Sequence, residues 1–285
     1  MLGVMDLTIP EGLARNCSSQ PSRRDWLARL PALVAELQAR WSLTLGAPYE
    51  AGAAWVAPVT NRPAVLKLGM PHMEADQEIA GMQFWDGEPT ARLLDLDVDY
   101  NALLLEQCDP GTPLGELPEA EQDVIMAGLL RRLWRVPADP HPFRPLSLMT
   151  QHWSEEARQK RDNWVDAELL AEGLRLFEEL PRTAPEQVLL ATDLHAGNVL
   201  QAQRQPWLVI DPKPFVGDPA YDATQHLFNC RPRLQAQPLD VMGRFADLLQ
   251  VDGERLRKWV FARGTVDPGT EEDADFLSFL RAIAP

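Results

Sequence analysis

A chain of 285 residues with 45% hydrophobic and 24% charged residues has the balance of a globule that folds as one large domain or two lobes. Its net charge of −15 excludes nucleic acid as an expected partner, since that binding needs a basic footprint, and it admits a cationic small molecule. No apolar run is long enough to span a bilayer, no secretory pattern of basic then apolar residues opens the chain, and Cys17, Cys108 and Cys230 are too scattered for a metal site or disulfide framework. A cytoplasmic protein with no membrane partner is expected.

In chain order, the first twenty-odd residues, with Pro10, Gly12, Ser18 and Pro21, read as an extended or loosely packed lead-in. Trp26, Leu27, Leu30, Val34, Leu37 and Trp41 then recur near helical spacing, which predicts a helix or a pair broken near Pro31. Tyr49 to Val59 and Pro63 to Leu68 read as a β-hairpin. The small run Ala51-Gly52-Ala53-Ala54 would let backbone approach a phosphate at Gly52, although a single glycine describes an ordinary strand turn equally well.

Lys67 is a lone cation inside Val65-Leu66-Lys67-Leu68, and strand alternation allows it to face either solvent or a cleft. The helical segment His72 to Trp85 carries Glu74 and Glu78 four apart on one side, with Glu78 the first choice of partner for Lys67 and Glu74 the second. A second hairpin, Arg92 to Leu96 with Asn101 to Glu106, completes a small antiparallel sheet. Its last strand runs into a turn through Glu106, Gln107 and Cys108.

From Leu117 the periodicity is helical, and Pro137 to Pro145 is a connector. Helices are expected from about Ser147 and Asp166. A further one opens at Gly217-Asp218-Pro219, where Asp218 is a good cap and equally a site candidate. Leu239 to Gln250, Arg255 to Arg263 and Glu271 to Ile283 close the chain as helices.

Between these helices lies the most informative stretch, Leu189 to Leu200, followed by Trp207-Leu208-Val209-Ile210-Asp211-Pro212-Lys213. Two apolar runs each deliver a carboxylate to a turn, and Asn198 stands five positions after Asp193. Asp and Asn also bond their own backbone in ordinary loops, so the spacing alone does not choose between turn and site. It resembles the catalytic and metal-binding segments of the protein-kinase-like fold, which implies Asp193 as the base and Asn198 with Asp211 as magnesium ligands. The same resemblance implies that Lys67 meets nucleotide phosphates and that the backbone of the Glu106 to Cys108 turn meets adenine.

With these segments in view, the chain resembles the aminoglycoside and hydroxyurea phosphotransferases, of the streptomycin 6-kinase type. The similarity covers most of the chain and is most specific at Asp193-Leu194-His195-Ala196-Gly197-Asn198-Val199-Leu200, Ile210-Asp211-Pro212-Lys213-Pro214 and Gly217-Asp218-Pro219. It implies an α+β, two-lobed protein-kinase-like fold. Residues 1–106 would form a smaller sheet lobe on the nucleotide side, and residues 107–285 a mostly helical lobe with the catalytic and metal loops and the acceptor site.

The implied activity is transfer of the ATP γ-phosphate, with Mg, to a hydroxyl of a small molecule such as streptomycin or hydroxyurea, with Asp218 and Asp222 available to a cationic acceptor. A nucleotide-binding module with reduced catalysis, a kinase of an unrelated metabolite, and a metal-dependent hydrolase built on Asp193, His195 and Asp211 are the alternatives. One departure motivates the first of these. The family usually carries His-Gly before the catalytic Asp, whereas this chain has Ala191-Thr192, at a place where glycine would serve a backbone angle that threonine adopts poorly.

Overall fold

Trp26, Leu30, Val34 and Leu37 form one buried stripe on α2 (Pro21–Arg40), a single helix of 20 residues that carries Pro31 in its interior. Of the two expectations, one helix or a pair broken near Pro31, the single helix forms, because the stripe packs into the same core before and after the proline, which outweighs the lost backbone bond. The computed structural model describes residues 7–285 except 19, 74–76, 161–163, 165 and 268–272. The expected lead-in is corrected, since α1 (Glu11–Cys17) is helical with Leu13 and Cys17 fully buried. Proline just before a helix is compatible with its start, and 7 residues with two buried apolar anchors are too few to show a period.

The chain divides into two compact units, residues 1–111 with 201–210, and residues 112–200 with 211–285. In the first, β1 (Ala54–Val59), β2 (Ala64–Gly69), β3 (Leu93–Asp97) and β4 (Ala102–Glu106) form an antiparallel sheet in the order β1-β2-β4-β3. Both predicted hairpins are present. Alternation splits the strands between two cores: Leu66, Leu68 and Leu104 join α1 and α2, while Leu103 and Leu105 join Ile79 and Met82 of α3 (Glu78–Trp85) on the other face.

The second unit is mostly helical: α4 (Glu119–Leu133), α5 (Leu146–Gln159), α6 (Ala167–Glu179), α7 (Pro219–Asn229), α8 (Arg231–Ala236), α9 (Pro238–Leu249), α10 (Gly253–Val266) and α11 (Ala274–Ile283). Four short strands follow α6 in the chain, β5 (Val188–Leu190), β6 (Val199–Gln201), β7 (Trp207–Val209) and β8 (Phe215–Gly217), of which β7 belongs to the first unit. Here β5 pairs antiparallel with β8, Leu190 opposite Phe215. Helix α8 escaped the sequence reading because six residues hold too little periodicity. No helix among the described residues is long and apolar enough to cross a membrane.

Aromatic side chains centre the second unit's core: Trp259 is fully buried, edge-on to Phe177 and Tyr221 at centroid distances of 6.0 and 5.1 Å. Helices α6 and α10 approach closely at Gly173, where an added Cβ would lie 1.8 Å from Thr265 Oγ1 and 2.6 Å from its Cβ. Rotating the Thr265 side chain does not move its Cβ, so Gly173→Ala is expected to destabilise the protein by about 1–3 kcal/mol. Chemical denaturation checks this, and an unchanged midpoint would show that the helices separate freely.

Candidate functional site

In the first unit the register decides where Lys67 points. Lys67 lies opposite Leu103 on β4, and Leu103 belongs to the α3 face, whereas Leu66 and Leu68 beside it face α1 and α2. The lysine is accordingly 6% exposed, and its Nζ donates to Glu78 Oε1 at 2.5 Å, with Glu78 itself 1% exposed at the start of α3. The solvent-facing alternative is excluded. Glu74 lies outside the described residues.

The turn after β4 behaves differently from its side chains' chemistry in isolation. Both Glu106 carboxylate oxygens accept from Arg204, whose guanidinium also donates to the carbonyls of Gly87 and Thr90. Arg204 ties the 201–210 segment to this sheet. The Glu106 N–H is engaged as well, donating to Arg92 O at 2.9 Å, so neither its carboxylate nor its N–H is open to a ligand. Burial pushes the Cys108 thiol up to about 11, assisted by the Glu106 charge, so it is neutral at pH 7. Gly52 accepts from Asn16 Nδ2 at 3.0 Å through its carbonyl, and an added Cβ would meet that same amide at 2.9 Å. Its smallness therefore already serves a contact with α1.

In the second unit, pairing of Leu190 with Phe215 sets the loop that leaves β5 beside the loop that enters β8. Lys213 N–H donates to Ala191 O at 2.8 Å, so residues 191–193 and 211–213 run side by side. This brings the Asp193 and Asp211 segments together from positions 18 apart in sequence. Asn198 closes the first loop, donating from Nδ2 to the Asp193 backbone oxygen at 3.0 Å, which leaves Oδ1 as its oxygen donor. His195 Nδ1 accepts from Gly197 N–H at 3.1 Å, a brace for the same turn rather than a metal ligand through that nitrogen.

Burial raises the Asp193 carboxyl above the ordinary range, opposed by His195 and Lys213 and reinforced by Asp211. A raised value suits a base, since a stronger carboxylate base takes a hydroxyl proton more readily. Lys213 was passed over in the sequence reading. It is 5% exposed, and its Nζ donates to Asp211 Oδ1. A buried lysine two residues after a carboxylate was the available signal, hidden because its burial comes from tertiary contacts.

Two residues here have left-handed backbone: Asp211 at φ +53° and Thr192 at φ +47°. Aspartate tolerates that region, but a β-branched threonine is an outlier whose cost is about 1–3 kcal/mol. The angle expected to favour glycine is thus present, with threonine in it.

Asp218 and Asp222, candidates for an acceptor, are 1% and 0% exposed. Asp218 caps α7 by accepting from Ala220 N–H at 3.0 Å, and it also accepts from Trp259 Nε1 at 2.6 Å and from Arg255. Asp222 accepts from Ala191 N–H at 3.0 Å, Thr192 N–H at 2.6 Å and Trp134 Nε1 at 3.0 Å. In this geometry both carboxylates brace the protein from within.

Burial raises Asp222 to about 6, against the lowering effect of its three donors and of Arg263. An unfolded aspartate titrates near ~3.9, so between roughly pH 4 and 6 the folded chain binds this proton more readily. The group therefore favours folding toward acid, and its full cost is present above about pH 6. Protonation also weakens its hold on residues 191 and 192. We expect kcat to fall on the acid side of about pH 6 as Asp222 takes its proton and loosens residues 191 and 192. A kcat profile flat down to pH 5 would contradict this.

The site's oxygen donors, Asp211 and Asn198, fit a hard cation that keeps most of its waters. Among the described residues no cluster of three or more His, Cys, Asp or Glu is placed to hold a metal ion.

Comparison with known proteins identifies the family and the fold. Residues 40–273 match the aminoglycoside/hydroxyurea antibiotic resistance kinases. The chain is 36% identical over 271 residues to the streptomycin 6-kinase of Streptomyces griseus, covering 90% of this chain and 88% of that protein. It is 35% identical over 254 residues to the hydroxyurea phosphotransferase of Kitasatospora aureofaciens, covering 84% and 72%. Among solved structures, an aminoglycoside phosphotransferase from Streptomyces rimosus in complex with ADP and streptomycin superposes with a TM-score of 0.60 at 18% identity, covering 84% of this chain and 99% of that one. That last likeness is one of fold, and it agrees with the two-lobed kinase-like expectation.

Proposed function

Because the chain belongs to the aminoglycoside/hydroxyurea antibiotic resistance kinases, we propose that it moves the γ-phosphate of ATP to a hydroxyl of a streptomycin-like aminoglycoside. General small-molecule phosphotransferase activity follows from the family, and the acceptor is the finer part of the reading. The observation that supports the phosphotransfer chemistry is the paired loop of the second unit, in which a half-buried Asp193 with a raised carboxyl stands in the loop held against that of Asp211, while the acceptor rests on the 36% identity to a streptomycin 6-kinase.

In this reading Asp193 accepts the proton of the attacking hydroxyl. Lys67, oriented by Glu78, holds the α- and β-phosphates, and the backbone of the 106–108 turn takes the adenine. Asn198 and Asp211 would hold magnesium, which when bound neutralises charge on the phosphate oxygens. The protein's own contribution is orientation and preorganised charge, because phosphoryl transfer asks little covalent chemistry of it. Asp218 and Asp222 are assigned to bracing these loops. A cationic acceptor is drawn by the overall charge of −15.

The test is ATP consumption with magnesium across aminoglycosides, hydroxyurea, amino alcohols and hydroxylated metabolites. Phosphorylation of streptomycin is expected; turnover confined to an unrelated metabolite would replace the acceptor and keep the kinase. The second reading, a nucleotide-binding module with reduced catalysis, is favoured by one feature, threonine at a left-handed position next to the base. ADP binding with no turnover on the whole panel would establish it.

A further inference from the structure

Thr192 sits at the centre of a three-residue turn closed by Asp193 N–H donating to Ala191 O at 2.7 Å, with φ +47°. Turns of this sign are rare and strained, and such backbone persists only where its surroundings over-determine it. The surroundings are specific. On one side Asp222 accepts the N–H groups of both Ala191 and Thr192. On the other, the same dipeptide grips both backbone groups of Lys213: its N–H donates to Ala191 O at 2.8 Å, and its carbonyl accepts from Thr192 Oγ1 at 2.6 Å.

Lys213 in turn donates through Nζ to Asp211. A continuous chain of bonds thus runs from Thr192 through Lys213 to the metal carboxylate, starting one residue from the base. Thr192 is 5% exposed, so bulk water does not replace the hydroxyl readily if it is removed.

Resting on the kinase reading, we propose that the Thr192 hydroxyl is a positioning group that clasps the Asp211 loop to the Asp193 loop and sets where the metal carboxylate stands relative to the base. Glycine at this position relaxes the backbone but cannot make the clasp. Valine keeps the shape and the branch but has no donor. Serine keeps the donor. The clasp and the backbone angle are therefore separable by substitution.

The experiment is calorimetric titration of ADP, with and without magnesium, into the wild type and into Thr192→Val, Thr192→Gly and Thr192→Ser. For valine and glycine we expect magnesium-dependent ADP affinity to fall about tenfold, the size of one buried hydrogen bond, with magnesium-free affinity unchanged. Serine is expected to stay within about threefold of wild type, since it retains that bond. Where an acceptor is turned over, kcat falls with the same ranking while the acceptor KM holds.

Glycine matching wild type would overturn the proposal, leaving backbone angle as the only role of residue 192. Valine lowering both affinities equally would overturn it too, as general structural damage. Should valine fail to fold, the serine and glycine pair decides alone. Magnesium-dependent ADP binding by a wild type that turns over no acceptor would sink the kinase reading, while the calorimetric series still decides the clasp.

Discussion

Asp193→Asn is expected to lower kcat by about 10²–10⁴-fold, the range spanned by a positioned general base. The amide keeps the size of the side chain and removes only its capacity to take a proton. The bonds that shape the loop around it use other groups: the Asp193 backbone oxygen accepts from Asn198 and its N–H donates to Ala191, and both survive the change. The KM for ATP is therefore expected to stay within about twofold, because ground-state binding does not depend on that proton. Removing a carboxyl raised by burial also relieves a desolvation cost, so the melting temperature should not fall. Steady-state kinetics and thermal denaturation check the three statements together. Wild-type kcat in this variant would remove Asp193 from the chemistry.

Lys67→Met carries the second large effect, and it acts on both stability and activity. Lys67 and Glu78 are 6% and 1% exposed, and Glu78 Oε2 has no hydrogen-bond partner among the described residues. Removing the lysine strands the carboxylate in the interior, at a cost of about 3–5 kcal/mol typical of a broken buried pair. Replacing both members by apolar groups avoids that penalty, so Lys67→Met with Glu78→Leu is expected to regain most of the lost stability.

Activity should separate from stability in this series. If Lys67 also meets nucleotide phosphates, the loss of a charge-assisted bond lowers kcat/KM for ATP by roughly 10–100-fold, and the double variant does not recover it. Denaturation midpoints read the first effect and ATP kinetics the second. A double variant with restored stability and wild-type ATP kinetics would reduce Lys67 to a structural pair.

The amino-acid sequence by itself determined the order of the larger elements and the chemistry on offer. Two hairpins were legible because alternation and turn residues are local signals, and Asp193, Asn198 and Asp211 were legible because spacing within one loop and the next survives in the linear chain. Lys67 could be found but not aimed. Its direction was settled by which face of β2 the neighbouring leucines bury, a property of the sheet's two cores.

What only the tertiary structure decided is the support beneath those residues. Asp222 reaches residues 191 and 192 from 31 and 30 positions away, Lys213 reaches Ala191 and Thr192 across the β5–β8 pairing, and Arg204 reaches Glu106 across 98 positions. None of these partners is marked by local periodicity or propensity, because a hydrogen bond between distant segments exists only after strand register has placed them together. Residue types therefore announced the candidate groups, while register and burial chose the residues that hold them in place.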